Sequence, residues 1–392
     1  MLVPKLRFKE FNDEWKTFKI QDTFVFLSTN SLSRDSLNYN NGTIQNIHYG
    51  DIHTILPTIC NVNKERLPYI NYDAIYKNTN FVQENDLLIA DASENYDDIG
   101  KSIEVIELDN KKIVGGLHTL LLRCELNLFA PKFKGYLFNT NNIRTQIKIL
   151  SVGAKVLGIS KDNLKKITFY LPNLEEQTKI ANFLSLIDRK IELQEKLVEN
   201  LNLYKKGLLK KVFSNNQGWK MIKIKDIFQI SRGIIIPKKE LSSVKDDKYK
   251  YPVYSSQTSN NGILGYSKTF DFNGQYLTWT TDGANAGTVF FRTGKFRCTN
   301  VCGLLYDEKN LFNNIAIKEI LQLETPKHVS YVGNPKLMNN TMGDINIKIP
   351  SIEEQNRIAN LFTSLDKKIE LETKKLQDLK TYKKGLLQKM FI

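Results

Sequence analysis

Leu171-Pro172-Asn173-Leu174-Glu175-Glu176-Gln177 opens a stretch that this chain writes twice, for it returns as Ile349-Pro350-Ser351-Ile352-Glu353-Glu354-Gln355. The match continues without a gap to Lys211-Val212-Phe213 and Lys389-Met390-Phe391, with about half of roughly 43 aligned positions identical. Pro172 and Pro350 end strand-like runs, Ile167 to Leu171 and Ile345 to Ile349. Asn173 with Glu176, and Ser351 with Glu354, have capping-box spacing: the cap side chain takes the N3 amide while the Glu reaches back. Glu175 and Glu353 place negative charge in the first turn, and Lys205, Lys206, Lys210, Lys211, Lys383, Lys384 and Lys389 gather at the far ends, as helix dipoles favour. A fainter echo precedes each copy: Trp15-Lys16 with Lys19-Ile20 and Asp22, against Trp219-Lys220 with Lys223-Ile224 and Asp226.

Inside each helix apolar residues step by four and three. The first copy gives Ile180, Leu184, Ile187, Ile191, Val198, Leu201 and Leu208; the second gives Ile358, Phe362, Leu365, Ile369, Leu376, Leu379 and Leu386. That is a narrow coiled-coil seam. Gln194, Glu372, Lys205 and Lys383 interrupt it at matching positions, and antiparallel pairing about the midpoints would bring the Gln194 amide to Glu372. Two amphipathic helices in one ordinary core are the plainer reading. Length opposes it, since roughly 39 residues at about 1.5 Å each make a rod of roughly 58 Å. Two copies are too few for a solenoid, so the pattern is a tandem of globular segment and helical spacer. The boundaries are 1–170, 171–213, 214–348 and 349–392.

The net charge is +14 over 392 residues. Residues 1–170 hold 21 basic against 19 acidic side chains, and residues 214–348 hold 18 against 11, so no basic tail explains the total. Charge dispersed over folded surface favours a nucleic-acid groove over a polybasic membrane anchor. No run of about 18 apolar residues is present, so no membrane span is expected. Met1-Leu2-Val3-Pro4-Lys5-Leu6-Arg7 lacks the apolar run of a signal peptide, and a cytoplasmic location is expected. Cys60, Cys124, Cys298 and Cys302 form no disulfide framework. The Cys298/Cys302 spacing lacks a neighbouring histidine, which favours structural thiols over zinc ligands.

Both globular segments have a mixed α/β (α+β) pattern. Asp86 to Ile89 and Ser102 to Ile106 are strand-like, and Phe133, Tyr136, Leu137, Thr140, Ile143 and Ile147 predict a helix from Pro131 to Ile149. The second segment carries hairpin signals at Asn261-Gly262, Asn273-Gly274, Asp282-Gly283 and Thr293-Gly294. Ser151-Val152-Gly153 echoes Tyr331-Val332-Gly333 near the end of each segment.

Polar turn-rich stretches have the chemistry to contact bases. The candidates in the first segment are Arg34, Asn40, Asn41, Gln45, Asn46 and His48. Those in the second are Arg232, Tyr254, Ser255, Gln257, Asn260, Trp279, Thr281, Asn285, Arg292 and Arg297. Arginine can take guanine O6/N7 and Asn or Gln adenine N6/N7, although each such residue taken singly is more often a solvated turn. Catalytic patterns are missing: there is no phosphate loop and no Gly-rich dinucleotide turn. Asn334-Pro335-Lys336-Leu337 lacks the second proline and the aromatic of an amino-methyltransferase motif, and the acidic loop Asp91, Glu94, Asp97 and Asp98 fits exposed surface better than a metal site.

Taken together, Pro4-Lys5-Leu6-Arg7-Phe8 through Trp15, the two Pro-x-x-Glu-Glu-Gln starts, Ile-Ala-Asn followed by Asp188-x-x-Ile191-Glu192 or Asp366-x-x-Ile369-Glu370, and the Tyr-Lys-Lys-Gly-Leu-Leu endings at Tyr204 and Tyr382 resemble the specificity subunit of a type I restriction-modification system. The resemblance implies a non-catalytic reader of double-stranded DNA with two target recognition domains, held apart by an antiparallel coiled coil and reading an asymmetric split site. It further implies two methyltransferase subunits that bind S-adenosylmethionine, with two restriction subunits using ATP and Mg2+ as optional further partners. This chain itself would bind no cofactor. The recognition subunit of a related methyltransferase-nuclease, or a coiled-coil protein adaptor, are the alternative readings.

Overall fold

The computed structural model describes residues 2–76 and 80–392. It divides into two compact units: Met1–Gln194 with Lys375–Ile392, and Glu195–Lys374. Each long helix, Leu174–Ser214 and Ile352–Lys389, therefore begins in one unit and ends in the other.

The first unit is built on a five-stranded sheet. Its spatial order is Val25–Leu27, Thr119–Arg123, Leu87–Ala90, Ser102–Ile106 and Ile59–Asn61, antiparallel except for the last pair. Leu87 to Ala90 is buried on both faces, which suits its unbroken apolar run. A smaller four-stranded sheet contains Gln45–Ile47.

The second unit repeats this sheet with different residues. Gln229–Arg232, Cys302–Tyr306, Phe272–Thr280, Val289–Cys298 and Tyr251–Tyr254 follow the same order and directions, again with only the last pair parallel. Ile263–Ser267 is added at the edge. The Trp-Lys echo also has a common structural meaning. Lys16–Lys19 pairs antiparallel with Thr168–Leu171, and Lys220–Lys223 pairs in the same way with Asn346–Ile349.

The long helices span Leu174–Ser214 and Ile352–Lys389. Their caps form as the spacing predicts: Asn173 Oδ1 accepts the Glu176 amide at 2.8 Å, and Ser351 Oγ accepts the Glu354 amide at 3.3 Å. The reciprocal half of the first box is replaced, however. The Glu176 carboxylate, fully buried, takes two hydrogen bonds from Arg7, at 2.8 Å from Nε and 2.7 Å from Nη2. The Gln repeated in each copy bolts the helix start to its own unit. Gln177 Nε2 donates to the Pro172 carbonyl while its Oε1 accepts from Ala130 N, and Gln355 Nε2 donates to the Pro350 carbonyl while its Oε1 accepts from Asn314 Nδ2.

The helices run antiparallel, each seam position being at least partly buried. In the second unit Ile358 and Phe362 pack with Leu208, Leu209 and Phe213. In the first, Ile180 and Leu184 join Leu386, Met390 and Phe391 in the domain core. Lys205 and Lys383 reach carboxylates of the facing helix rather than merely breaking the seam: Lys205 reaches Asp366 at 2.6 Å, and Lys383 reaches Asp188. The ends are matched too. Phe213 meets Trp219 edge-on at 5.8 Å between centroids, and Phe391 meets Trp15 edge-on at 6.2 Å. The first unit is thus closed by the end of the second helix, as the second is by the end of the first.

Three sequence expectations change. The stretch from Pro131 to Ile149 is two helices, Phe133–Phe138 and Asn141–Leu150, because Thr140 is extended and its hydroxyl bonds the Leu137 carbonyl. Asn273-Gly274 and Thr293-Gly294 make no turns; Gly274 and Gly294 face each other within one long hairpin, both with positive φ, and let it bend. The Val-Gly echo is also displaced by two residues. Backbone bridges match Val152 and Gly158 to Ser330 and Lys336, so each pair encloses a five-residue loop, 153–157 and 331–335.

Candidate nucleic-acid interface

These two loops stand at equivalent places beside the loop that follows a central strand. In the first unit Ile159 N donates to the Asp91 carbonyl and Asp91 N to that of His118. In the second, Leu337 N donates to the Thr281 carbonyl and Thr281 N to that of Val301. Residues 153–156 and 331–334 are exposed, Val332 at 92% and Tyr331 at 69%. Single exposed apolar side chains are ordinary, but here they protrude from the same place in both units. The first loop borders a groove lined by Asp91, His118, Val152, Val156 and Asn163. His118 Nδ1 lies 3.1 Å from Asp91 Oδ1, and burial pushes the Asp91 carboxyl above its usual range. His118 adopts φ 53°, a conformation that its sequence does not announce.

The candidates of the first unit fall into two groups. Asn40 and Asn41 are exposed, their amides held by Asn38 Oδ1 in a tight turn. Gln45, Asn46 and His48 are buried. Asn46 Oδ1 accepts from Asn30, and His48 caps a short helix by accepting the Gly50 amide. Burial, helped by the nearby Arg34 charge, lowers the His48 pKa to about 4, so its ring is neutral at pH 7. Arg34 makes a bidentate pair with Asp51, at 2.7 and 3.1 Å, which raises its own pKa.

In the second unit one group surrounds the protruding loop. Arg232 donates to Asn339 Oδ1 at 2.9 Å and touches Met338. Trp279 is fully buried with its indole N–H on the Leu337 carbonyl, Thr281 is buried beside Asp282, and Asn285 is exposed in the adjoining turn. A second group consists of Tyr254, Ser255, Gln257, Asn260 and Arg292. Ser255 Oγ accepts from Thr299, Gln257 reaches the Ile263 carbonyl, and Asn260 is exposed with φ 48°. Arg297 lies apart. Burial opposes its charge, but the hydrogen bonds it donates to Asp271 and Glu240 outweigh that and raise its pKa.

Cys298 and Cys302 are buried thiols with sulfurs 3.4 Å apart, and no cluster of three or more metal-binding side chains occurs among the described residues. Sequence reasoning missed His118 and the matched loops. Only backbone pairing reveals them.

A family model for the type I restriction modification DNA specificity domain matches residues 12–203 and 216–381. The amino-terminal portion of a putative type I specificity subunit of Mycoplasma pneumoniae is 43% identical over 143 residues, 36% of this chain and 75% of that sequence. Another putative type I specificity subunit of the same organism is 37% identical over 161 residues, 41% of this chain, and this chain spans only about half of its length, 52%. A crystal structure of a type I restriction-modification S subunit from M. genitalium shares the fold at a TM-score of 0.64 and 18% identity, over 100% of this chain and 99% of that one. With two recognition units on one repeated helical seam and a family match over most of its residues, the chain belongs to the type I restriction-modification specificity subunits.

Proposed function

We propose that this chain reads a split, asymmetric DNA sequence and carries the methyltransferase subunits of a type I restriction-modification enzyme, without itself catalysing a reaction. The observation that carries this reading is the repetition of one sheet and one exposed five-residue loop in two units whose loop residues differ. Equal architecture with unequal loops suits two unlike half-sites. A helical seam of fixed length suits a fixed gap between them, as protein geometry sets half-site spacing in other readers.

The helices also support the partner reading. Leu193 and Leu371 occupy equivalent positions and are exposed, as do Tyr204 and Tyr382. Two like apolar faces fit two copies of one partner, which would bring S-adenosylmethionine; restriction subunits would bring ATP and Mg2+. No helix among the described residues is long and apolar enough to cross a membrane.

Exchange of residues 1–150 for the matching segment of another family member tests the reading. The recognised sequence is expected to change in one half only, with the gap preserved. Change in both halves would refute independent reading. DNA affinity should also fall steeply between 50 and 200 mM salt, by roughly 10³-fold or more if about six phosphates are contacted. Absence of DNA binding at low salt would leave a protein adaptor.

A further inference from the structure

Arg292 is buried at 2% exposure, yet among the described residues no carboxylate pairs with it. Its Nε donates to Thr278 Oγ1 at 3.2 Å, and its Nη1 has no hydrogen-bond partner. The guanidinium carbon lies 3.6 Å from the Tyr254 ring centroid and 4.2 Å from that of Phe290. Arg297, on the same strand, shows what this protein does with a buried arginine that serves the fold, for Asp271 and Glu240 both hold it. Leaving a buried charge without an opposite partner is strongly unfavourable, and aromatic contact offsets only part of that cost.

The rings of Tyr254 and Phe290 cover the guanidinium, and Gly262, at the end of the loop from Ser255, lies against its Nη2 side. Gly262 has φ 77°, which favours glycine, and a Cβ added there would stand 2.8 Å from Arg292 Nη2, so the fork lies close against this backbone. Asn260, Asn261 and Gly262 all have positive φ, and the loop's exposed side chains are uncharged. The chain thus supplies a planar guanidinium, oriented by two rings, with an empty N–H and an uncharged loop beside it but no anion.

We propose that Arg292 is a concealed base-reading residue of the second half-site, uncovered when the loop Ser255–Gly262 lifts and then taking the O6/N7 edge of a guanine. This rests on the DNA-reading function proposed above. A surface lysine would serve for a phosphate; a rigid, stacked fork suits the paired acceptors of guanine.

The test is selection of bound duplexes from a random pool by the full chain with its methyltransferase subunit, for the wild type, Arg292→Lys and Arg292→Met, together with thermal unfolding of each. The wild type is expected to select a split motif. Both variants should lose preference at one G·C position of a single half-site, by about tenfold to a hundredfold. Arg292→Met should unfold at the same or a higher temperature, since a charge without a partner has been removed. An unchanged motif, or uniform weakening with the motif intact as a phosphate contact would give, overturns the proposal while leaving the DNA-reading function standing. A lower unfolding temperature for Arg292→Met also overturns it, as the mark of a structural arginine. Failure of the wild type to select any motif removes the function and this proposal together.

Discussion

Lys205 Nζ lies 2.6 Å from Asp366 Oδ1 in the second unit, and Lys383 and Asp188, which occupy the same places in the other helix copies, meet in the first. The chain has therefore duplicated an ion pair along with the helices, each copy supplying the lysine to one pair and the aspartate to the other. Lys205 also reaches Glu319, which is almost fully buried, at 3.2 Å. Burial opposes the Lys205 charge, but Asp366 and Glu319 hold its pKa above the usual lysine value. Lys205→Met is expected to destabilise the second unit by roughly 1–3 kcal/mol, since buried Glu319 loses a donor. Asp366→Asn, at a half-exposed partner, should cost about 0–1 kcal/mol. Urea unfolding midpoints of the two variants check this order.

Phe391 tests whether the first unit depends on the end of the second helix. Phe391 is buried against Trp15 and Phe133. Phe391→Ala is expected to cost about 3–5 kcal/mol. Hydrogen exchange should then rise in Leu87–Ala90 and not in Phe272–Thr280. Equal loosening of both strands would contradict the assignment of Phe391 to the first unit.

Arg7→Met removes both donors that satisfy the buried Glu176 carboxylate. A loss of roughly 3–5 kcal/mol is expected. Arg7→Met combined with Glu176→Gln should recover part of it, as thermal unfolding would show.

His48 gives the first unit an acid-sensitive element. Its folded pKa, about 4, lies below the ordinary 6.5, so the folded state binds fewer protons between these values. The associated stability is complete above about 6.5 and is lost as pH falls from there toward about 4. His48→Asn, which keeps a capping acceptor, should flatten that part of the stability profile measured by urea unfolding.

The helices were legible because a repeat and a step of four and three are properties of sequence alone. Lys205 and Lys383 stand out as interruptions, but their partners lie more than 110 positions away and no spacing names them. The shared sheet was hidden: Leu87–Ala90 and Phe272–Thr280 occupy the same place with no common residue pattern, since backbone ladders tolerate any suitably apolar side chains. The polar candidates show a different limit. Asn46, His48 and Arg297 have the hydrogen-bonding groups of base readers, yet those groups serve equally well inside a fold, and composition cannot separate the two uses. The displaced Val-Gly echo arose because two chance identities outweighed a register that only the backbone bridges define.

The most direct measurement is a genome-wide map of methyladenine in a methylation-free bacterium expressing this chain with its methyltransferase subunit, repeated after one heptad is removed from each long helix. A single split motif with a fixed gap is expected, and the shortened chain should keep both half-sites and change only the gap. Altered half-sites with an unchanged gap, or methylation without a split motif, would contradict the reading of the helices as a spacer between two DNA-reading units.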